Sequence, residues 1–485
     1  MPTKNNKQDW NWQNSYLQLP DKLYSKQAPA PVPEPSLLYW NEALAEQLGL
    51  AFLTGNEERL AEFFSGNTVP PGAEPLAQAY AGHQFGGFNI LGDGRAILLG
   101  EQINPEGKRF DIQLKGSGQT PYSRRGDGRA TLSSMLREYL ISEAMYHLGI
   151  PTTRSLAVVG TGQTVYRQKV NQGAVLTRIA SSHIRVGTFE YVRQYGTIEE
   201  IEAFVQYVIK RHYPELESAD NKALALLEAV MDKQIELVVE WMRVGFIHGV
   251  MNTDNVSIAG ETIDYGPCAF MNAYDPRTVF SSIDRHGRYA FGNQPNITHW
   301  NMAVFAGTLL PLIAEQEEVA TEQARAVLDD FPRRFAQKWY QMMFRKLGIV
   351  KPERTDAALV DELLELMERH QADYTNVFAG LRNGQLQEEA LNASFEFQDW
   401  HARWKKRFEV MPTEANTLMV QSNPVIIARN HLVEEVLQAA EASNYQPLND
   451  FLKQLSKPYA SGDDAPELQL VPSDFDSQYQ TFCGT

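Results

Sequence analysis

HGVMNTDN (248–255), with its continuation VSIAGETIDYG (256–266), is the stretch that decides the fold. A histidine opens it and an asparagine closes the first part. Short apolar residues then run to Ala259-Gly260, a dipeptide suited to a turn. NVSIAGETIDYG (255–266) therefore reads as a small hairpin that returns Asp264 to the neighbourhood of Asn255. One carboxylate and one amide oxygen suit Mg²⁺ or Mn²⁺, hard ions that keep several waters and gain further ligands from phosphate. The plainer alternative is an Asn and an Asp capping the ends of an ordinary hairpin. Immediately upstream, ALALLEAVMDKQIELVVEWMRVG (223–245) has the apolar spacing of one long helix.

Working outward, residues 80–180 have a different texture: glycine turns between short apolar runs. AILLGE (96–101) and FDIQLK (110–115) read as strands joined by NPEGK, and residues 129–149 as a helix closed by Gly149 and Pro151. SLAVV and TVYRQ, separated by GTGQ, read as a hairpin, and AVLTRIA (174–180) as another strand. LLYWNEALAEQLGL (37–50) reads as a short helix ended by Gly49, and APAPVPEP (28–35) as an extended arm or a spacer. From 190 to about 455 the chain is mainly helical, and a loose acidic tail follows.

The expected class is α+β, in the order of a protein-kinase-like bilobal fold: an N-terminal arm with short helices (1–78), a strand-rich N-lobe (79–182), a helical C-lobe with the metal site (183–345), and a C-terminal helical extension and tail (346–485). HGVMNTDN has the length and end residues of the kinase catalytic loop H-R-D-x-x-x-x-N, and Asp264-Tyr265-Gly266 stands where such folds carry D-F-G.

Lys115 ends an alternating strand, and Glu138 lies 23 residues later beside the apolar face of a helix, the arrangement of a phosphate-holding lysine and its ion-pair partner. GDGRAILLGE (92–101) offers a glycine turn whose backbone N–H groups can approach a phosphate. Val250 occupies the position of the kinase catalytic aspartate. Asp254 is either a relocated base or a hairpin cap. Arg178 lies in the strand that would read adenine, and Arg185 follows seven residues later. Guanidinium groups suit phosphate better than an adenine edge. If both face the cleft, the triphosphate enters where adenine normally goes; otherwise they are surface arginines.

Composition narrows the classes. A net charge of −16 repels polyphosphate backbones, so general nucleic-acid binding is not expected. Two cysteines among 485 residues suit a reducing cytoplasm rather than a disulfide scaffold. The N-terminus is polar, and the longest apolar stretch, near 303–314, is too short to span a bilayer, so neither export nor a membrane partner is expected.

Long strings carry a closer resemblance: LLYWNEALAEQLGL, YAGHQFGGFNILGDGRAILLGE, DIQLKGSGQTPYSRRGDGRATL, HGVMNTDNVSIAGETIDYGPCAF and NPVIIARNHLVEEVL (423–437). Through nearly its whole length the chain resembles the selenoprotein O (SelO/YdiU) family. The resemblance implies a pseudokinase fold that binds ATP inverted and transfers AMP to protein hydroxyls, or UMP from UTP with Mn²⁺. It implies nucleotide contacts from Gly92, Gly94 and Arg95, from Asp127 and Gly128, and from Lys115 with Glu138 as its partner. It further implies that Arg178 and Arg185 hold the triphosphate, that Asp254 is the base, and that Asn255 and Asp264 are the metal ligands.

Cys483 stands near where some members carry selenocysteine. A Cys268–Cys483 disulfide tethering the tail is one expectation, and two independent thiols are the other. His83 and His248 read as structural histidines, and KWYQMMFRKLG and WHARWKKRFEV as packed helices with solvated faces. Three functions remain open on the residues alone: a nucleotidyltransferase, a γ-phosphate-transferring kinase, and a non-catalytic nucleotide-binding scaffold.

Overall fold

The computed structural model describes residues 9–84, 87–460, 466–472 and 475–482. In chain order the first half gives β1 (Tyr24–Lys26), β2 (Ser36–Trp40), α1 (Glu42–Leu48), α2 (Glu57–Ser65), β3 (Leu76–Gln78), β4 (Ala81–Gln84) and β5 (Gly87–Ile90). It continues with β6 (Ala96–Ile103), β7 (Arg109–Lys115), β8 (Ala130–Thr131), α3 (Leu132–His147), β9 (Arg154–Tyr166) and β10 (Val170–Ala180). The main sheet is antiparallel, in the order β1-β3-β6-β7-β10-β9-β2, with β8 on β10. β4 and β5 pair only with each other.

The alternation in β7 shows how the sheet is held. Ile112 and Leu114 enter a compact core with Leu44, Leu48, Leu60 and Phe64 of α1 and α2. Asp111, Gln113 and Lys115 take the opposite face, and Lys115 meets α3 there. Thus β7 is apolar on one side and carries a buried polar row on the other.

The second half is helical: α4 (Val186–Tyr195), α5 (Ile198–His212) and α6 (Lys222–Arg243), the minimal pair β11 (Phe246–Ile247) and β12 (Ala269–Phe270), then α7 (Gln294–Ile313), α8 (Glu317–Leu328) and α9 (Phe331–Lys346). α10 (Asp356–His370), α11 (Tyr374–Asn383), α12 (Glu389–Asn392), α13 (Phe395–Phe408), α14 (Pro412–Ser422), α15 (Asn430–Glu441), α16 (Gln446–Leu455) and α17 (Phe475–Gln478) complete it. A large core runs from α3 through these helices. Within α13, Trp400 and Trp404 are buried while Lys405 and Lys406 are not, which is the packed helix with a solvated face that the sequence suggests. The fold is α+β. Among the described residues no helix is long and apolar enough to cross a membrane.

Four expectations change. LLYWNEALAEQLGL is a strand (β2) followed by a helix, because the Asn41 side chain accepts the Leu44 N–H at 3.1 Å and starts α1 only there. GTGQ is no turn: β9 runs straight through it, and Gly162, at φ +68°, takes up a bulge opposite Gly173. The hairpin partner of β9 is β10, reached by the turn at 167–169. Residues 255–266 do turn, with Gly260 N–H on Ser257 O at 3.1 Å, yet the two arms do not pair. Ser257 bridges to Arg185 and Thr262 to Thr152, so each arm is sewn to a neighbouring segment instead. The tail is not loose where it is described: Thr481 N–H bonds Phe280 O at 2.8 Å and Ser282 N–H bonds Thr481 O at 3.0 Å.

Candidate active site

Five charged side chains meet where the sheet faces the helical half. Lys115 at the end of β7 gives its ammonium to Glu138 of α3 at 2.7 Å and to Asp264 at 2.8 Å. Arg178 of β10 bonds Glu138 through Nε at 2.8 Å and Asp264 through Nη2 at 2.7 Å. Arg185, just before α4, reaches the other Asp264 oxygen at 2.7 Å and the Asp254 carbonyl at 2.6 Å. Neither arginine is a surface residue: Arg178 is 1% and Arg185 3% exposed, and both face inward.

The electrostatics follow from this crowding. Burial alone would raise the Asp264 and Glu138 carboxyls. Arg178 and Lys115 outweigh it at both, with Arg185 added at Asp264, so both lie below the usual carboxylate range. Asp264 and Glu138 hold Arg178 firmly protonated against burial, and Tyr80, Asp264, Asp93 and Asp254 do the same for Arg185. Asp254 differs. It is buried in a short turn, its Oδ1 has no hydrogen-bond partner among the described residues, and burial raises it to about 6 even with Arg185 nearby. An ionised carboxylate with a free oxygen and a value near neutrality is suited to accept a proton.

Asp264 adopts φ +61°, the left-handed region, which Asp tolerates better than most residues. Asn255 gives its amide N–H to Val250 O at 3.0 Å, which leaves its oxygen available. Among the described residues no three His, Cys, Asp or Glu side chains converge as a metal site. The donors present, Asp264 and the Asn255 oxygen, fit a divalent ion that completes its shell with phosphate and water.

The glycine loops lie one step away. Ala96 pairs with Lys115 in register, and Gly116 N–H bonds Arg95 O at 2.7 Å, so the loop of Gly92, Gly94 and Arg95 leads into the strand beside the lysine. Gly92 has φ +117°, and a Cβ there would stand 2.5 Å from the Tyr122 ring. Thr120 Oγ1 bonds Asp93 O at 2.7 Å, which ties this loop to the one that ends in Asp127 and Gly128. Asp127 is half-exposed and bound bidentately by Arg167, both at 2.8 Å, and no contact joins it to the charged cluster.

Several participants were not singled out from the sequence. Asp93 is buried, accepts the Gln78 N–H at 3.0 Å, and is raised by burial to about 6. Gln113 lies between Arg178 at 3.4 Å and Asp93 at 3.3 Å. The DIQLK alternation carried a signal for it, since Asp111, Gln113 and Lys115 share a face. Tyr80 lies under Arg185, 4.4 Å from ring centre to guanidinium carbon. Arg137, beside Glu138, bonds Cys268 O at 2.8 Å and Gly266 O at 3.3 Å. Gly82 gives Asp254 its room, because a Cβ there would stand 2.3 Å from Asp254 Oδ1.

His248 is structural, with Nε2 on Ile263 O at 2.9 Å, and His83 pairs through Nδ1 with Glu190 at 2.7 Å. The Cys268 thiol is buried and free, and burial pushes it up to about 11, so it holds little thiolate at neutral pH. Cys483, which would be its partner in the disulfide alternative and an independent thiol in the other, lies outside the described residues.

Residues 7–456 match the family described as Protein adenylyltransferase SelO. A relative called Protein nucleotidyltransferase YdiU, from Geobacillus kaustophilus, is 54% identical over 485 residues, covering 98% of this chain and 99% of its own. Proteins of the same name from Halalkalibacterium halodurans and Bacillus thuringiensis subsp. konkukian are each 52% identical, over 98% and 100% of both chains respectively. With the family matched across nearly its entire length and identities above one half, this chain belongs to the protein adenylyltransferase SelO family.

Proposed function

We propose that the chain is a protein nucleotidyltransferase with a protein-kinase-like bilobal fold, N-lobe 79–182 and C-lobe 183–345, that transfers AMP from ATP to Ser, Thr or Tyr hydroxyls of other proteins. UTP with Mn²⁺ is an alternative donor, giving UMP transfer. The observation that carries this reading is the convergence of Lys115, Arg178 and Arg185 on Asp264, with Asp254 beside them and Val250 at the kinase aspartate position.

Three fixed cations on one carboxylate form a pocket for a polyanion. With the triphosphate held there by Lys115, Arg178 and Arg185, the α-phosphorus rather than the γ-phosphorus faces the acceptor. Gly92, Gly94 and Arg95, with Asp127 and Gly128, border the nucleotide. Asn255 and Asp264 would hold Mg²⁺ or Mn²⁺, which neutralises phosphate charge when bound.

In the reaction the acceptor oxygen bonds to the α-phosphorus. Its proton passes to Asp254, and the bond from the α-phosphorus to the bridging oxygen breaks, releasing pyrophosphate. Lys115 and the arginines stabilise the charge that develops on this leaving group. The absence of a carboxylate at Val250 then fits, because the acceptor is served from Asp254.

The test uses ATP labelled at the α- or the γ-phosphate, with Mg²⁺ or Mn²⁺, and Asp264→Ala as control. Protein-bound label from α-ATP alone, lost in the variant, is expected. Label from γ-ATP alone would mean an ordinary kinase, and nucleotide binding without label would mean a scaffold.

A further inference from the structure

Asp254 Oδ1 has no hydrogen-bond partner among the described residues, so no donor aims that oxygen. Its direction must come from the turn that carries it and from the walls around it. The turn is gripped at each residue. Asn301 of α7 donates to Met251 O at 2.9 Å, the Tyr289 hydroxyl donates to Asn252 Oδ1 at 2.6 Å, and Arg185 donates to Asp254 O at 2.6 Å. Thr253 completes the series, and it is held differently.

Thr253 is 0% exposed, where a hydroxyl is unfavourable unless it is bonded. Here both of its functions are used. Oγ1 accepts His83 N–H of β4 at 3.3 Å, and the O–H donates to the Glu190 carboxylate of α4. His83 Nδ1 stands 2.7 Å from Glu190 Oε1 and closes the triangle. The two elements joined in this way are the two that wall the base. A Cβ on Gly82, the neighbour of His83, would stand 2.3 Å from Asp254 Oδ1. A Cβ on Gly187, three residues before Glu190, would stand 3.4 Å from Asp254 Cα. One hydroxyl therefore ties β4 and α4 to the residue next to Asp254.

We propose that Thr253 is the positioning residue for the base. Its hydroxyl, strung between His83 and Glu190, sets how far the Asp254 carboxylate stands from Gly82, and so from the acceptor hydroxyl. Valine at 253 would fill the same space but let β4 and α4 settle independently of the turn. A displacement of about 1 Å at a reacting group is enough to slow a reaction about 10²-fold. This inference rests on Asp254 being the base in the AMP-transfer reading above.

The test measures initial rates of label transfer from α-ATP with Mn²⁺ to a desalted cell extract, across ATP concentrations, with Tm followed alongside. Thr253→Val should transfer about 10²-fold more slowly at saturating ATP, with KM for ATP unchanged. Thr253→Ser, which keeps the hydroxyl, should recover most of the rate. Thr253→Val combined with Glu190→Leu removes both polar partners together, so its Tm should lie above that of Thr253→Val alone. Its rate should nevertheless stay low. A rate that returns with Tm in this double variant would reduce Thr253 to a structural role and overturn the proposal. Wild-type turnover in Thr253→Val, or a serine variant as slow as the valine one, would overturn it as well. Asp254→Asn serves as the reference: if it transfers at the wild-type rate, the base assignment itself falls, and the positioning role with it.

Discussion

At the scale of single residues, the site is a problem of balancing buried charge. Lys115, Arg178 and Arg185 face only Glu138 and Asp264 within the cluster, so it carries one excess positive charge before any nucleotide arrives. Asp264 thus fills the place a phosphate would take. Asp264→Asn keeps a residue that tolerates the left-handed backbone but removes this counter-charge. Metal-free ATP should then bind about tenfold more tightly while AMP transfer is lost, and calorimetry beside the α-label assay would separate the two effects. Gly82→Ala is a second residue-scale prediction. Its Cβ would enter the space of Asp254 Oδ1, so transfer should fall by about 10²-fold with Tm and ATP binding little changed. Wild-type turnover in this variant would remove Asp254 from the role of base. Spaced motifs in the sequence single out Lys115, Glu138, Asp254 and Asp264, and the fold brings the first two and the last into direct contact, with Arg185 reaching the Asp254 carbonyl. Gly82 and Arg137 were not legible, since their importance lies in what stands opposite them in space.

At the scale of elements, β7 orders the site by serving two masters. Ile112 and Leu114 fix the strand in the core, and the residues between them aim a polar row at the cleft. At the far end of this row Asp111 accepts from His183 N–H at 2.9 Å and from its Nδ1 at 3.0 Å, and it pairs with Arg211 of α5. This network anchors the segment between Arg178 and Arg185. Burial opposes the Asp111 charge, but Arg211 and His183 bring the carboxyl down to about 2. A depressed carboxyl stabilises the fold above its unfolded value near 4, and that contribution is lost as pH falls toward 2. Unfolding of wild type should therefore steepen between about pH 4 and 2, whereas Asp111→Asn should be less stable at pH 7 and show a shallower slope in that window, as followed by denaturant titration. Element existence was well marked in the sequence, for β6, β7, α3 and α6 above all. The connections were not. GTGQ carries turn residues, yet pairing of both its flanks with β2 and β10 overrides them, and the arms of 255–266 find Arg185 and Thr152 rather than each other.

At the scale of the whole molecule, the chain's last described segment closes on the site from outside. Arg137 projects from α3 one residue before Glu138 and bonds Gly266 O, Cys268 O, the Tyr479 hydroxyl at 3.2 Å and Glu434 of α15 at 2.8 Å. Thr481 Oγ1 bonds Pro267 O at 2.6 Å, so the tail grips the loop that leaves Asp264. Arg429, 1% exposed, bonds Asp373, Asn272, Asn376 and Leu468 O, and so joins α11, the 272 loop and the tail in one buried network. Replacing Arg429 by Met would leave the Asp373 carboxylate buried without its partner, a loss of about 3–5 kcal/mol. The reading of the tail as loose failed for the same reason that Arg137 was missed: its contacts are hundreds of residues distant. If the tail holds the metal loop in place, a chain shortened after Ala460 should keep its far-UV spectrum but lose transfer, with more Mn²⁺ needed for half-maximal rate. Tyr479→Phe, which removes one hydroxyl worth about 1 kcal/mol, should show the same shift in Mn²⁺ dependence to a smaller degree. An unchanged Mn²⁺ profile in both would reduce the tail to packing alone, leaving Arg137 to position Gly266 and Cys268 by itself.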